Sequence, residues 1–208
     1  MDLNKLIEIG KKDLDISSRA DQVKDSYDKA VNSYSMALTG ARNRLIDIFF
    51  DEVEAMFINN EKFEIENNRD VADGKNFIVL IRGTEIKIIL TVLKSHKEKL
   101  YIPIQIHVIR GKSEEVKNIE LRFTDTDAYI FENSFANLDV DHLTAKQLDE
   151  MQKENQVILQ KTNKVKVLNV VQYRLTNDRG SYVGGVINES DNFNYIFERS
   201  LDLMKIFN

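Results

Sequence analysis

The chain has no cysteine and no tryptophan, one proline, eight glycines and three histidines in 208 residues. Without cysteine there is no disulfide framework, no thiolate metal ligand and no thiol nucleophile, and a reducing cytoplasm is the expected compartment. Scarce proline and glycine imply long regular elements joined by short turns. Three histidines leave a thin inventory for nucleophilic catalysis, and no Ser, His and Asp set stands out as a hydrolase triad. No apolar run approaches the roughly 20 residues that span a bilayer, so no membrane partner is expected. The opening Met1-Asp2-Leu3-Asn4-Lys5-Leu6 lacks the basic region and apolar core of a secretory signal. A net charge of −5 gives no support to a broadly basic nucleic-acid binder and is too small for an acidic mimic of DNA. The P-loop and dinucleotide patterns are absent, and Gly184-Gly185 reads as a bulge or a close backbone contact.

What remains is a globular composition, 42% hydrophobic and 30% charged, in a chain long enough for one large domain or two small ones. Abundant Asn, Ile and Lys, with their A/T-rich codons, point to a low-GC bacterium or one of its phages as the source.

The main signal is a change of period near residue 60. Before it, apolar residues recur at helical spacing. Residues 3–35 read as helix, interrupted near Gly10, and Thr39-Gly40 reads as a kink or break because glycine costs about 1 kcal/mol in a helix interior. A second helical stretch follows, with Leu45, Ile48, Phe49, Val53 and Met56 on the face expected against a sheet. After residue 60 apolar residues alternate every second position over 63–66, 77–81, 85–93, 100–109 and 117–123, with 128–131 as a further strand. That is the pattern of an antiparallel meander with one buried face. Pro103 cannot donate to a ladder, so its strand is expected at an edge or bulged. Thr144 should cap a helix over 145–160. Residues 164–174 and 182–187 read as strands about a turn at 177–180, and a last helix should start after Ser190 or Asp191. The expected fold class is α+β: a helical arm or hairpin over 1–60, then a meander body with two further helices over 61–208, with the arm packed on the body as one continuous domain.

Several constellations could carry function. The helical region holds a seam of small and tyrosyl residues at three-then-four spacing, Ile16, Ala20, Val23, Tyr27, Ala30, Tyr34, Ala37 and Ala41. One helix cannot bury such a seam alone. It predicts either an intrachain hairpin of 3–35 against 41–58 or capture of a partner, a second copy (dimer or higher) or another protein, with Asp21, Lys24, Asp25, Asp28 and Lys29 as flanking charges.

On the sheet, Glu85-Ile86-Lys87 is similar to the strand-borne Glu-x-Lys of metal-dependent nucleases, with Asp70 or Asp73 as the upstream carboxylate. Two carboxylates on one Mg²⁺ with a lysine beside the attacking water would support hydrolysis. The plain alternative is an alternating strand with solvated charges and no cofactor. If residues 94–99 form a simple hairpin, Glu85, Lys87, Gln105, His107, Glu120 and Arg122 share one face, with Lys87 near Gln105 and His107, and Glu120 near His107. Such a face is a partner-binding surface, or a site where His107 acts as general base.

Alternate turns of a meander fall at one end. Arg82 is therefore expected with Arg110 and Lys112, and Lys94, His96, Lys97 and Lys99 gather at the other end; either group could hold phosphate. Asp139, Asp141 and His142, with Asp125 and Asp127 earlier, are a weak metal-ligand pattern. The function these features favour is a non-enzymatic interaction protein: a regulator, inhibitor or assembly factor, possibly encoded by a phage or mobile element, acting through the seam and the charged sheet face. A Mg²⁺-dependent nuclease and a nucleic-acid binder using the basic turns are the alternatives.

Overall fold

The computed structural model describes residues 3–71, 74–93, 101–124, 135, 143–176 and 186–205. The fold is α+β. A long helix α1 (Leu3–Phe57) leads into strands β1 (Phe63–Val71), β2 (Gly74–Ile81), β3 (Ile86–Val92), β4 (Tyr101–Arg110) and β5 (Ser113–Phe123). Helix α2 (Ala145–Lys166), strands β6 (Val171–Thr176) and β7 (Val186–Ser190) and helix α3 (Phe193–Asp202) follow. The seven strands form one antiparallel sheet in sequence order. The expected strand at 128–131, Gly184-Gly185, the basic turn 94–99 and the acidic sets 125–127 and 139–142 lie outside the described residues.

The chain divides into two compact units, one within residues 1–39 and 128–167, the other within 40–127 and 168–208. The change of period near residue 60 marks the end of α1, whereas the division into units falls inside that helix.

Helix α1 does not break at Gly40, and residues 3–35 do not fold back on 41–58. Gly40 is flanked by Ala37, Leu38 and Ala41, all buried, and the Thr39 hydroxyl donates to the Ser35 carbonyl at 3.0 Å within the helix. Burial on both sides outweighs the cost of about 1 kcal/mol for one glycine.

In the first unit α2 opens with a capping box: Gln147 N–H donates to the Thr144 hydroxyl while the Gln147 side chain accepts from the Thr144 backbone. The helix extends six residues past the expected 160, and 164–166 are its last turn rather than the start of a strand. Its buried residues Leu148, Met151, Ile158, Thr162 and Val165 make a helical stripe, so Val165 is a helix-core residue. The β-branched run Val165, Val167, Val170 and Val171 suggested one strand; only its last member begins β6.

In the second unit the inner sheet face is fully buried. Phe77, Val79, Leu90, Ile104, Ile106, Val108, Ile119, Leu121, Tyr173 and Leu175 all have no measurable exposure. Leu45, Phe49, Phe50, Val53 and Phe57 of α1 and Phe193, Ile196 and Phe197 of α3 supply the other half of this core. Ring contacts tie the layers: Phe49 meets Phe193 edge-on at 5.3 Å, Phe57 meets Phe63 at 5.0 Å and Phe197 at 5.7 Å, and Tyr173 meets Phe193 at 5.4 Å. Each fully buried side chain of this size contributes about 1.5–3 kcal/mol.

Pro103 lies on the fourth of seven strands, and the pairings of β4 carry no register shift, so its strand is neither an edge nor bulged there. The reason is local. Leu93 N–H donates to the Pro103 carbonyl at 2.9 Å just past the end of β3. Proline has no N–H to return, so its deficit falls where the β3 ladder already ends.

Candidate interaction surfaces

The seam residues Ala20, Val23, Tyr27, Ala30, Tyr34 and Ala37 are each 7% exposed or less within the single chain. Their cover is α2. The Arg19 guanidinium bonds Asp149 and, at 3.1 Å, Gln152. Asn155 donates to Ser26 at 2.7 Å, and the Tyr27 hydroxyl donates to Glu154 at 3.2 Å. These links climb both helices in the same direction, at separations of 127 to 133 residues, so α1 and α2 pair in parallel. Parallel partners cannot be joined by a short turn, and here the chain runs through five strands between them. Burial, followed by Glu154, raises the Tyr27 phenol above its ordinary pKa.

Burial of α1 starts only at Ile16 and Ala20. In the turns before it, Leu3, Leu6, Ile7, Ile9 and Leu14 are between 44% and 73% exposed. Leu3, Leu6, Ile7 and Leu14 fall at i, i+3, i+4 and i+11, which makes one apolar stripe. Lys5, Lys11 and Lys12 lie on the same segment and are exposed, interspersed with the acidic Glu8 and Asp13. The periodicity of this segment was legible in the sequence; its exposure was not.

The second unit contains an open cavity of about 980 Å³ between the last turns of α1, α3 and the β1–β3 side of the sheet. Its floor is apolar, formed by Phe57, Phe63, Ile81, Ile88, Phe197 and Leu201. Three carboxylates line it, Glu52, Asp191 and Glu198, and among the described residues no lysine, arginine or histidine does. Glu52 accepts from the Tyr173 hydroxyl at 2.8 Å. Its burial raises its pKa, Tyr173 and the Phe193 backbone N–H oppose that, and Asp191 adds to it. Burial, followed by the same carboxylate, pushes the Tyr173 phenol far above its usual range. Both partners of Glu52 are neutral donors, so its charge is hydrogen-bonded without a cation. These residues come from positions 52–63, 81–88 and 191–201, and no local motif announces them.

The outer sheet face carries Lys87, Gln105, His107, Glu120 and Arg122, all half-buried, but not in the expected neighbourhoods. Lys87 lies opposite Ile109, Gln105 opposite Thr91 and Asn118, and His107 opposite Ile89 and Val116. Glu120 faces Pro103 and Arg174, and Arg122 accompanies Gln172 with a hydrogen bond of 3.1 Å. The acid near His107 is Glu114, at 3.3 Å, in place of Glu120. The shift comes from the β4–β5 turn. It is a tight two-residue connection, Gly111-Lys112, with Gly111 at φ 60°, and a Cβ there would lie 3.0 Å from the Glu85 carboxylate. Ile78, Leu80, Ile89, Ile109 and Val116 also lie half-buried on this face, giving it an apolar centre.

The basic residues Arg82, Arg110 and Lys112 sit in or beside the β2–β3 and β4–β5 turns, at one end of the sheet, with Glu85 among them. Glu85 is exposed in a turn just before β3, and Lys87 is on the strand. Asp73 lies outside the described residues. Among the described residues no three His, Asp or Glu side chains converge as metal ligands, and no helix is long and apolar enough to cross a membrane. No protein-family model, curated protein or solved structure matches the chain.

Proposed function

We propose that this chain is a non-enzymatic protein-interaction module, a regulator, inhibitor or assembly factor, whose principal contact is the first four turns of α1. One observation carries the reading: five large aliphatic side chains within twelve residues stay 44% to 73% exposed beside a seam that α2 has already closed. Single exposed leucines are ordinary, but a periodic stripe of them on one helix face is a docking pattern. The outer sheet face, with its apolar centre and charged margin, is the second contact.

The test is solution mass, by light scattering on a sizing column, for wild type and for Leu3→Glu/Ile7→Glu. The wild type should associate with rising concentration. The variant should be a folded monomer, with stability within about 0.5 kcal/mol of wild type because both side chains are exposed. Wild type that stays monomeric throughout, or a variant that associates equally well, would contradict the reading.

A further inference from the structure

The cavity of the second unit has a lining that specifies a ligand. Its apolar side carries the rings of Phe57, Phe63, Phe193 and Phe197 beside Ile81 and Ile88. The rings hold one another in place. Phe57 meets Phe63 at 5.0 Å and Phe197 at 5.7 Å, both edge-on, and Phe193 meets Phe197 at 5.7 Å. Phe57, Phe193 and Phe197 are at most 3% exposed, so the core beneath fixes this floor before any ligand arrives. The volume of about 980 Å³ lies at the upper end of ordinary ligand pockets.

The wall carries one sign of charge. Glu52, Asp191 and Glu198 line it, and among the described residues none of the three is in an ion pair. Glu52 is half-buried, and its donors, the Tyr173 hydroxyl at 2.8 Å and the Phe193 backbone N–H, are neutral. An anionic ligand would be repelled here. A bare metal ion would find no three converging carboxylate or histidine ligands among the described residues. A ligand that is both apolar and cationic satisfies floor and wall together. Its apolar body displaces water from the aromatic floor, and its ammonium meets carboxylates in a partly desolvated setting, where ion pairs are stronger than in water. Aromatic faces attract cations as well.

We propose that the cavity is a binding site for a small organic cation, a primary amine on an aryl or alkyl body. The body lies on the phenylalanine floor, and the ammonium donates to the carboxylates of the wall. The site goes beyond the interaction reading and does not depend on it, because none of its residues belongs to the first turns of α1.

Four probes of the full chain separate the two halves of the claim, titrated by ¹H–¹⁵N NMR. Phenylbutylamine has both the body and the charge. Phenylbutanol keeps the body without charge, phenylbutanoate reverses the charge, and spermidine has charge without the aromatic body. Phenylbutylamine should shift the amides of Ile81, Ile88, Asn192 and Asn194 and saturate. Phenylbutanol and spermidine should each bind about tenfold more weakly or worse, and phenylbutanoate should not saturate. Asp191→Asn/Glu198→Gln should bring the amine down to the affinity of the alcohol while the alcohol itself is unchanged. Both positions are exposed, so the variant should keep the wild-type amide spectrum outside the cavity. An amine that binds no better than the alcohol or than spermidine would overturn the proposal. So would an amine that moves resonances elsewhere, that binds the variant as tightly as wild type, or that does not bind at all.

Discussion

One helix serves two units with two different vocabularies. In the first unit α1 buries Ala20, Val23, Tyr27, Ala30, Tyr34 and Ala37, with the parallel helix α2 and Phe135 against this seam. In the second it presents Leu45, Phe49, Phe50, Val53 and Phe57 to the core of a seven-stranded sheet. The contrast follows from what each partner can accept. Small side chains take little room at a helix seam, and the tyrosines keep a polar tip for partners such as Glu154. A sheet face about 10 Å from its covering layer must be filled by large residues. The first unit therefore rests on small and tyrosyl side chains and the second on large aliphatic and aromatic ones, and substitutions should separate the two.

The largest effect is expected from Phe49→Ala. Phe49 has no exposure and touches both Phe50 and Phe193, so the truncation should cost about 3–5 kcal/mol. Hydrogen exchange should report the loss in the strands and α3. Unfolding by urea that is unchanged from wild type would show that this ring is not a keystone of the second unit.

Ala30→Leu probes the other vocabulary. Ala30 is 3% exposed in the seam, and three added carbons would push α2 away at a cost of about 1–3 kcal/mol. Faster exchange should be confined to α2 and to residues 20–37 of α1. Loss of protection spread equally over the strands would mean that the two regions do not rest on separate kinds of packing.

The smallest effect sharpens the electrostatic side of the contrast. The folded-state pKa of Glu52 is raised, chiefly by burial, with Asp191 adding to it and Tyr173 and the Phe193 N–H opposing it. A raised folded pKa contributes stability that is present below the unfolded value and lost as pH rises through the folded one. Wild type should therefore gain stability relative to Glu52→Gln as pH falls from neutral toward the ordinary carboxylate range, when each is unfolded with urea. A difference that stays flat, or runs the other way, would mean that the Tyr173 and Phe193 hydrogen bonds dominate.

The sheet was legible because its inner residues alternate without interruption: Ile86, Ile88, Leu90 and Val92, then Ile102, Ile104, Ile106 and Val108. Period two needs no knowledge of the partner strand. Register was not legible, because it depends on the φ-positive glycine at 111 and on where the ladder stops beside Pro103. The continuity of α1 through Gly40 was hidden by a local propensity that tertiary burial overrides. The end of α2 was hidden by valines that suit a strand as well as a helix core. The seam could be read as a seam, but its cover, α2, lies roughly 130 residues away in sequence. The cavity was invisible for the same reason, since its acidic wall and apolar floor come from three separate stretches. The exposed turns of α1 look in sequence like any amphipathic helix, and only the position of the first buried residues sets them apart.

The central claim is that the seam is closed within the chain while the first turns of α1 are left for another molecule. Hydrogen exchange of wild type at low and high protein concentration tests it most directly. The account predicts that residues 20–37 are equally protected at both concentrations, and that residues 3–14 exchange quickly when dilute and gain protection when concentrated. Protection of 20–37 that rises with concentration would place the seam between chains and contradict the account, as would residues 3–14 that exchange at one rate throughout.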